Sequence, residues 1–274
     1  MTVTTATVDT ISGTIAYRQS PGTGPAVVLV HGNSASSGAF TRQFEGPLGQ
    51  TLRLIAIDLP GHGQSDKAGD PAATYTMPGY AAVVRDVAAK LGVTDAVFAG
   101  WSLGGHIVLE AAPDLPEAAG FLIFGTPPLA FPPAMEQAFL PHPALNVGFS
   151  DAITEQEARA YVAAAFKPGA TDIPEAAVED ALRADGRARS TMIASIAPNG
   201  YRDEVEVVAS LRQPLAVLHG AQEQLINAGY IATLAMPTLW RGAIQFINDA
   251  GHMPQWEQPA AFDALLGAFV ADCR

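Results

Sequence analysis

The chain has 274 residues, of which 49% are hydrophobic and 15% charged, with a formal net charge of −12 at pH 7. This composition indicates a globular protein large enough for one α/β domain, or for one domain with an insertion. The negative charge disfavours nucleic acid and anionic membranes as partners. No apolar run reaches the roughly 18 residues of a membrane span, no secretory signal is visible, and the single Cys273 cannot form an internal disulfide. We therefore expect a cytoplasmic protein.

Strand patterns and helix patterns alternate along most of the chain. Polar and apolar residues alternate in 4–9 and 14–18 around Ser12-Gly13, which predicts a β-hairpin. Continuous apolar runs predict buried strands at 26–30, 52–57, 96–99, 121–124, 215–218 and 244–247. Helical spacing predicts a helix that has Pro78 near its start and stops at Gly92, and another over 259–270. Such alternation predicts a mostly parallel sheet that is covered by helices on both faces.

The alternation breaks between residues 126 and 200. Prolines crowd the first part of this stretch, and helical patterns follow at 154–166 and 174–187. We interpret residues 126–200 as a helical cap inserted into a core domain that is formed by residues 1–125 and 201–274.

The sequence Gly100-Trp101-Ser102-Leu103-Gly104 lies between a predicted strand and a predicted helix. Gly-x-Ser-x-Gly in that context is typical of a nucleophile elbow, a turn so sharp that small residues must flank the exposed serine. A glycine-rich turn with an inactive serine is the alternative. The remaining catalytic groups, which follow in the expected order, favour Ser102 as a nucleophile.

Two residues after later strands can complete a catalytic triad. His252 follows the last predicted strand and is the expected base, because serine is a weak nucleophile until a base removes its proton. Glu223 follows the preceding strand and is the expected carboxylate that orients the imidazole, with Asp249 as the alternative. The order Ser, acid, His is the order used by one large hydrolase fold.

The oxyanion formed by attack of Ser102 requires preorganised donors. We expect them to be the backbone N–H groups of Leu103, at a helix N-terminus, and of Asn33, in the loop after the strand at 26–30. The other histidines are interpreted as structural: His31, His62, His106, His142 and His219. The sequence has neither zinc-ligand spacing nor a dinucleotide-binding motif, so we expect no metal and no cofactor.

The sequence resembles the α/β-hydrolase superfamily over essentially its full length, and within it the AidH-type N-acyl-homoserine lactonases. Four stretches carry the superfamily resemblance: 31–34, 58–65, 100–106 and 248–252. The lactonase resemblance rests on His31-Gly32-Asn33-Ser34, 100–106, Gly125-Thr126-Pro127-Pro128 and Asp185-Gly186-Arg187-Ala188-Arg189.

The resemblance implies an α/β-hydrolase fold, with an eight-stranded mostly parallel sheet and an inserted cap. It implies a metal-free serine hydrolase that opens the lactone ring of bacterial signals, with Ser102, Glu223 and His252 as the triad and with Asn33 and Leu103 in the oxyanion hole. Asn33, Trp101 and Tyr161 are the expected substrate contacts, although packing of the cap is an equal alternative for Tyr161.

The expected partner is a small apolar ester or lactone, and no obligate protein partner is evident. A general carboxylesterase, or a hydrolase of carbon–carbon or amide bonds, is one alternative, because one triad serves many reactions. A non-catalytic, signal-binding relative is another.

Overall fold

The computed structural model describes residues 2–196 and 200–274. Within them, eight strands form one sheet: β1 (Thr4–Thr10), β2 (Gly13–Gln19), β3 (Ala26–Val30), β4 (Arg53–Ile57), β5 (Val97–Trp101), β6 (Gly120–Phe124), β7 (Leu215–Gly220) and β8 (Gln245–Ile247). The strand order is β1-β2-β4-β3-β5-β6-β7-β8. The hairpin β1–β2 and the pair β2–β4 are antiparallel, and the other neighbouring strands are parallel. The predicted eight-stranded, mostly parallel sheet is confirmed.

Helices cover both faces of this sheet. Their bounds are α1 (Thr41–Glu45), α2 (Pro47–Thr51), α3 (Pro71–Thr74), α4 (Met77–Lys90), α5 (Leu103–Ala111), α6 (Met135–Ala138), α7 (Glu155–Ala164), α8 (Glu175–Arg183), α9 (Gly186–Ser195), α10 (Glu204–Ser210), α11 (Ala228–Ile231), α12 (Pro254–Glu257) and α13 (Pro259–Asp272). In the described part of the chain, no helix combines the length and the apolar character that crossing a bilayer requires.

The hydrophobic core has two layers, because successive side chains of a strand point to opposite faces of the sheet. In β3, Val28 and Val30 pack in one layer with α4 and α5, whereas Val27 and Leu29 pack in the other with α1 and α13. Strands β5, β6 and β7 are buried along their whole length. The continuous apolar runs in the sequence reflect this burial on both faces.

Helices α6 to α10 lie in sequence between β6 and β7. Helix α7 corresponds to the helix predicted over 154–166. The single helix predicted over 174–187 is wrong, because α8 ends at Arg183 and Ala184 leaves the helical conformation, with ψ 140°. Asp185 then accepts a hydrogen bond from the Arg187 N–H at 3.2 Å and begins α9. A short polar residue that caps a helix stabilises a break that hydrophobic spacing alone does not reveal.

The division into a core and an inserted cap stays a prediction. Residues 197–199 of the predicted cap lie outside the described residues. At the base of this segment, the Glu204 carboxylate contacts the His106 ring of α5, with an Nδ1–Oε2 distance of 2.8 Å. This pair, which is buried on both sides, fixes the start of α10 against the helix that follows Ser102.

Candidate active site

Ser102 occupies a strained turn between β5 and α5. Its φ of 54° and ψ of −120° lie in a region that side chains other than glycine rarely adopt. The two flanking glycines allow this turn. A Cβ on Gly104 would collide with the Val30 carbonyl oxygen, and a Cβ on Gly100 would collide with the Gly104 carbonyl oxygen. The turn presents Ser102, which is half-buried, at the carboxyl end of the central strand.

His252 and Glu223 form a buried pair at the same edge of the sheet. The Nδ1 atom of His252 lies 2.7 Å from Glu223 Oε2, and Glu223 Oε1 accepts a hydrogen bond from the Leu225 N–H at 2.8 Å. Burial opposes the charged form of Glu223, but the attraction of His252 and these hydrogen bonds hold the pKa of the carboxyl below its usual range. Glu223 is therefore an anion at neutral pH, and it orients the imidazole with Nε2 free for another partner.

The alternative acid, Asp249, pairs with a lysine and not with His252. Its φ is 57°, it is mostly exposed, and its carboxylate forms a salt bridge of 2.6 Å with Lys167. Of the two carboxylates considered from the sequence, the structure brings Glu223 to His252.

Three neighbours hold the His252 ring and its loop. The Trp101 Nε1–H donates to the His252 carbonyl oxygen at 2.8 Å, and Glu257 accepts a hydrogen bond from the Gly251 N–H at 2.7 Å. Gly125, with φ 58°, leaves room for the ring, because a Cβ there would lie 2.7 Å from His252 Cε1. These roles of Glu257 and Gly125 are not predicted from the sequence. The stretch Gly125-Thr126-Pro127-Pro128, which carries part of the lactonase resemblance, is the feature that points to Gly125.

The N–H groups of the two expected oxyanion donors, Asn33 and Leu103, have no protein acceptor among the described residues. Leu103 is the first residue of α5, so its N–H also lies at the positive end of the helix dipole.

His31 is buried in the loop after β3 that also carries Asn33. Its Nε2 accepts a hydrogen bond from the Leu59 N–H at 3.0 Å, and its Nδ1 donates to the Gly32 carbonyl oxygen at 2.7 Å.

An apolar pocket of about 280 Å³ opens at Ser102. Asn33, Trp101, Tyr161 and His252 also line it, so the structure brings these predicted site residues together. The rest of the wall is largely apolar and includes Phe139, Leu145, Val162, Ala165, Leu225 and Met253. A pocket of this kind suits a neutral ligand with an apolar tail, since an unpaired charge would lose its hydration there.

Tyr161 and Asn33 are two of the polar residues that line the pocket. The Tyr161 hydroxyl lies 3.4 Å from the Asn33 carbonyl oxygen, which is a long and weak hydrogen bond. Burial raises the pKa of Tyr161 to about 12, so the hydroxyl remains a neutral donor. The Asn33 side chain is already engaged, because its Nδ2 donates to the Gly148 carbonyl oxygen at 2.7 Å.

The other histidines have structural surroundings. His31 and His62 are fully buried, and desolvation lowers their pKa values to about 4 and about 3. Burial also lowers the pKa of His219, whose ring packs against Phe246. His142 accepts a hydrogen bond from the Ala144 N–H at the start of a short 3₁₀ helix. Across residues 2–196 and 200–274, no three His, Cys, Asp or Glu side chains are grouped closely enough to bind a metal ion.

Comparison with known proteins agrees with this geometry. The model of the alpha/beta hydrolase family matches residues 27–265. The chain is 28% identical to a pimeloyl-(acyl-carrier protein) methyl ester esterase of Xylella fastidiosa strain M12, over 93% of this chain and 98% of the relative.

Solved structures of the N-acyl homoserine lactonase AidH are similar over nearly the whole chain. A mutant complexed with N-hexanoyl homoserine has a TM-score of 0.95 and 36% identity, and the match covers 99% of this chain and 98% of the other. A second mutant, complexed with N-hexanoyl homoserine lactone, has a TM-score of 0.94 and 36% identity, covering 98% of both chains. The strand order, the strained elbow and these matches show that the chain belongs to the alpha/beta hydrolase family.

Proposed function

We propose that the protein is a metal-independent serine hydrolase that opens the lactone ring of N-acyl homoserine lactones. Ser102 is the nucleophile, His252 the base and Glu223 the orienting acid. The N–H groups of Asn33 and Leu103 form the oxyanion hole. The observation that carries the proposal is the match to AidH along nearly the full chain, at 36% identity, together with an apolar pocket at Ser102.

The reaction begins when Ser102 Oγ attacks the ring carbonyl carbon and His252 Nε2 accepts the hydroxyl proton. Negative charge develops on the carbonyl oxygen, and the two N–H groups stabilise it there. The Glu223 carboxylate, 2.7 Å from Nδ1, stabilises the imidazolium that forms. The ring C–O bond then breaks, which leaves the homoserine carbonyl esterified to Ser102 and releases the ring oxygen as an alkoxide.

A lactone imposes a particular requirement, because its leaving group remains attached to the acyl group. His252 must protonate the alkoxide before it attacks the ester and closes the ring again. Water, activated by His252, then hydrolyses the ester on Ser102. The product is a single N-acyl homoserine, heavier than the substrate by one water, and no free fatty acid is formed.

The pocket supports this substrate class. The acyl chain fits against the apolar wall, while the amide of the substrate needs polar partners. Tyr161 offers a neutral hydroxyl whose bond to the Asn33 carbonyl oxygen is long, at 3.4 Å, so the hydroxyl is free to turn toward a substrate. Asn33 supplies its N–H to the reacting carbonyl.

A carboxylesterase that acts on small apolar esters is the second candidate. The 28% identity to a methyl ester esterase, over 93% of this chain, supports it. The same triad and oxyanion hole would serve either substrate, so the two candidates differ in what the pocket accepts rather than in the chemistry.

The test is incubation of the purified protein with N-hexanoyl homoserine lactone and, separately, with an aryl hexanoate, followed by mass spectrometry. A product of the lactone that is one water heavier, and that closes again on acidification, supports the lactonase. Release of homoserine lactone and hexanoic acid would identify an acylase instead. Fast hydrolysis of the aryl ester with an intact lactone would favour the carboxylesterase. Binding of the lactone without turnover of either compound would indicate a signal-binding relative.

A further inference from the structure

Arg189, on α9, is a buried arginine without a salt bridge in the described part of the chain. Arg189 is 2% exposed, and it forms no salt bridge with any residue in 2–196 or 200–274. The guanidinium donates instead to three backbone carbonyl oxygens, those of Ser150 at 2.6 Å, Asp151 at 3.0 Å and Ala181 at 3.3 Å. These neutral acceptors bind its N–H groups, while the carboxylates of Asp151 and Asp185 act on its charge only from a distance.

A buried charge without a direct salt bridge is costly to stability, because the group loses its hydration and more distant carboxylates return only part of that loss. Burial lowers the pKa of Arg189, but a guanidinium remains protonated at neutral pH. A neutral side chain at this position would cost the folded protein less stability, yet the fold retains a positive charge there. A negative charge that forms only during the reaction would explain why the cation is kept.

The fourth hydrogen bond of Arg189 leads to the expected oxyanion hole. Its Nη1 donates to Ser34 Oγ at 3.3 Å, and the Ser34 hydroxyl donates to Asn33 Oδ1 at 3.0 Å. Ser34 has a φ of 58°, a strained conformation for a serine, immediately after the residue whose N–H is the expected donor. Two hydrogen bonds thus connect a buried cation to Asn33.

The same arginine also holds the segment that lies over Asn33. Ser150 and Asp151, which accept from Arg189, directly follow a 3₁₀ helix whose Gly148 carbonyl oxygen accepts from Asn33 Nδ2 at 2.7 Å. Asn33 is therefore fixed from two directions, through Ser34 and through Gly148, and both supports lead to the Arg189 guanidinium.

From these contacts we infer that Arg189 is a positioning residue for the oxyanion hole, acting through Ser34 on the Asn33 backbone N–H. The inference rests on the proposed serine-hydrolase chemistry, but it does not depend on which ester or lactone is the substrate. The positive charge favours the anionic tetrahedral state over the neutral substrate, so its effect falls on kcat more than on KM.

The experiment compares wild type with Arg189→Gln, Arg189→Lys and Ser34→Gly, using p-nitrophenyl butanoate as substrate and butylboronic acid as an inhibitor. The boronic acid forms a tetrahedral anion on a reactive serine. Glutamine removes the charge, lysine keeps it, and glycine breaks the link to Asn33 while tolerating the positive φ. Arg187→Gln is the matched control, because Arg187 lies on the same helix with its side chain about half exposed and paired with Asp185.

We expect Arg189→Gln and Ser34→Gly to lower kcat about 10-fold, with KM nearly unchanged. This loss is smaller than the about 10²- to 10³-fold loss in kcat that follows removal of an oxyanion donor itself. Boronate affinity should fall in parallel, and Arg189→Lys should recover most of kcat. Arg187→Gln should behave as wild type. If Arg189→Gln does not fold, Ser34→Gly decides, with a thermal melt to verify its fold.

Unchanged kcat in Ser34→Gly, or equal losses in the glutamine and lysine variants with unchanged boronate affinity, would overturn the inference. Hydrolysis of the aryl ester without opening of a lactone would contradict the proposed function alone. A wild-type chain that hydrolyses neither compound and does not bind the boronate would overturn both.

Discussion

The indole N–H of Trp101 donates to the carbonyl oxygen of His252 at 2.8 Å, across 151 positions of sequence. Trp101 precedes Ser102 directly, so this bond joins the elbow turn to the loop that carries His252. The two rings also pack, with centroids 5.8 Å apart. The expected substrate contact Trp101 therefore also holds the two halves of the site together.

Trp101→Phe should lower kcat about 5- to 30-fold while leaving the fold intact. The variant keeps an aromatic ring, but it leaves the buried His252 carbonyl oxygen unpaired, which costs about 1–2 kcal/mol. Hydrolysis kinetics on an aryl ester measure the effect. Trp240→Phe is the control, because Trp240 Nε1 donates to Asp272 Oδ2 at 2.9 Å, outside the pocket. Equal kinetics in the two variants would contradict the role of the Trp101 bond.

Ser102→Ala should lower kcat by about 10⁶, the scale of losing a triad nucleophile. A fluorophosphonate probe should add one adduct to wild type and none to the variant, as measured by intact mass. If a folded Ser102→Ala protein retained more than a few per cent of activity, the serine mechanism would be excluded.

Glu223→Gln should cost less activity than His252→Ala, since the acid orients and stabilises the imidazolium but does not accept the proton from Ser102. Rates for both variants on the same ester measure the difference. Asp249→Asn is the matched control, because this carboxylate is exposed and pairs with Lys167. Full activity in Glu223→Ala would move the acid to another residue.

The parts of the fold and of the site that depend on local sequence patterns can be predicted from the sequence. Strands β3 and β6 are continuous apolar runs because both their faces are buried, and the elbow is a local sterically fixed turn around Ser102. The break at Ala184 is different, since the apolar spacing of 174–187 continues across it and an Asp185 cap starts a new helix.

Contacts that join distant segments leave no such pattern. Asn33 Nδ2 reaches Gly148 across 115 positions, and Arg189 Nη1 reaches Ser34 across 155. A buried arginine and an exposed one look alike in sequence, and Arg187 and Arg189 lie two positions apart with opposite burial. The environment of such residues depends on how α9 packs on the loop after β3, which periodicity does not encode.

Acid should destabilise the protein between about pH 6.5 and pH 4. Burial lowers the pKa of His31 to about 4 and that of His62 to about 3, so both are neutral when folded and gain protons on unfolding in this range. The folding stability that comes from their neutral forms is fully present above the unfolded pKa of about 6.5, and it is lost as the pH falls toward the folded pKa values. Asp263, whose pKa burial raises to about 6, opposes this trend.

Denaturant unfolding at several pH values, for wild type and His62→Asn, isolates the histidine contribution. Asparagine can still donate to the Pro60 carbonyl oxygen that His62 Nδ1 contacts at 3.1 Å, but it does not titrate. The variant should have a smaller pH slope, by up to about 1.4 kcal/mol per pH unit for one proton. Parallel curves for the two proteins would exclude His62 as a source of the acid sensitivity.

Tyr161→Phe tests how the pocket recognises the amide of an N-acyl homoserine lactone. The Tyr161 hydroxyl lines the pocket, stays neutral because burial raises its pKa to about 12, and has only a 3.4 Å contact with the Asn33 carbonyl oxygen. Removing it should lower kcat/KM for N-hexanoyl homoserine lactone about 2- to 10-fold, the effect of one neutral hydrogen bond of about 0.5–1.5 kcal/mol.

The comparison substrate is an aryl hexanoate, which has the same acyl chain but no amide. Its turnover should be nearly the same in Tyr161→Phe and wild type, because the variant keeps the ring that packs against the pocket wall. Tyr230→Phe is the control, since the Tyr230 hydroxyl donates to the Pro128 carbonyl oxygen at 2.8 Å and does not line the pocket. Equal losses on both substrates would mean that the Tyr161 hydroxyl supports the packing of the pocket instead of binding the amide, which is the alternative that the sequence left open.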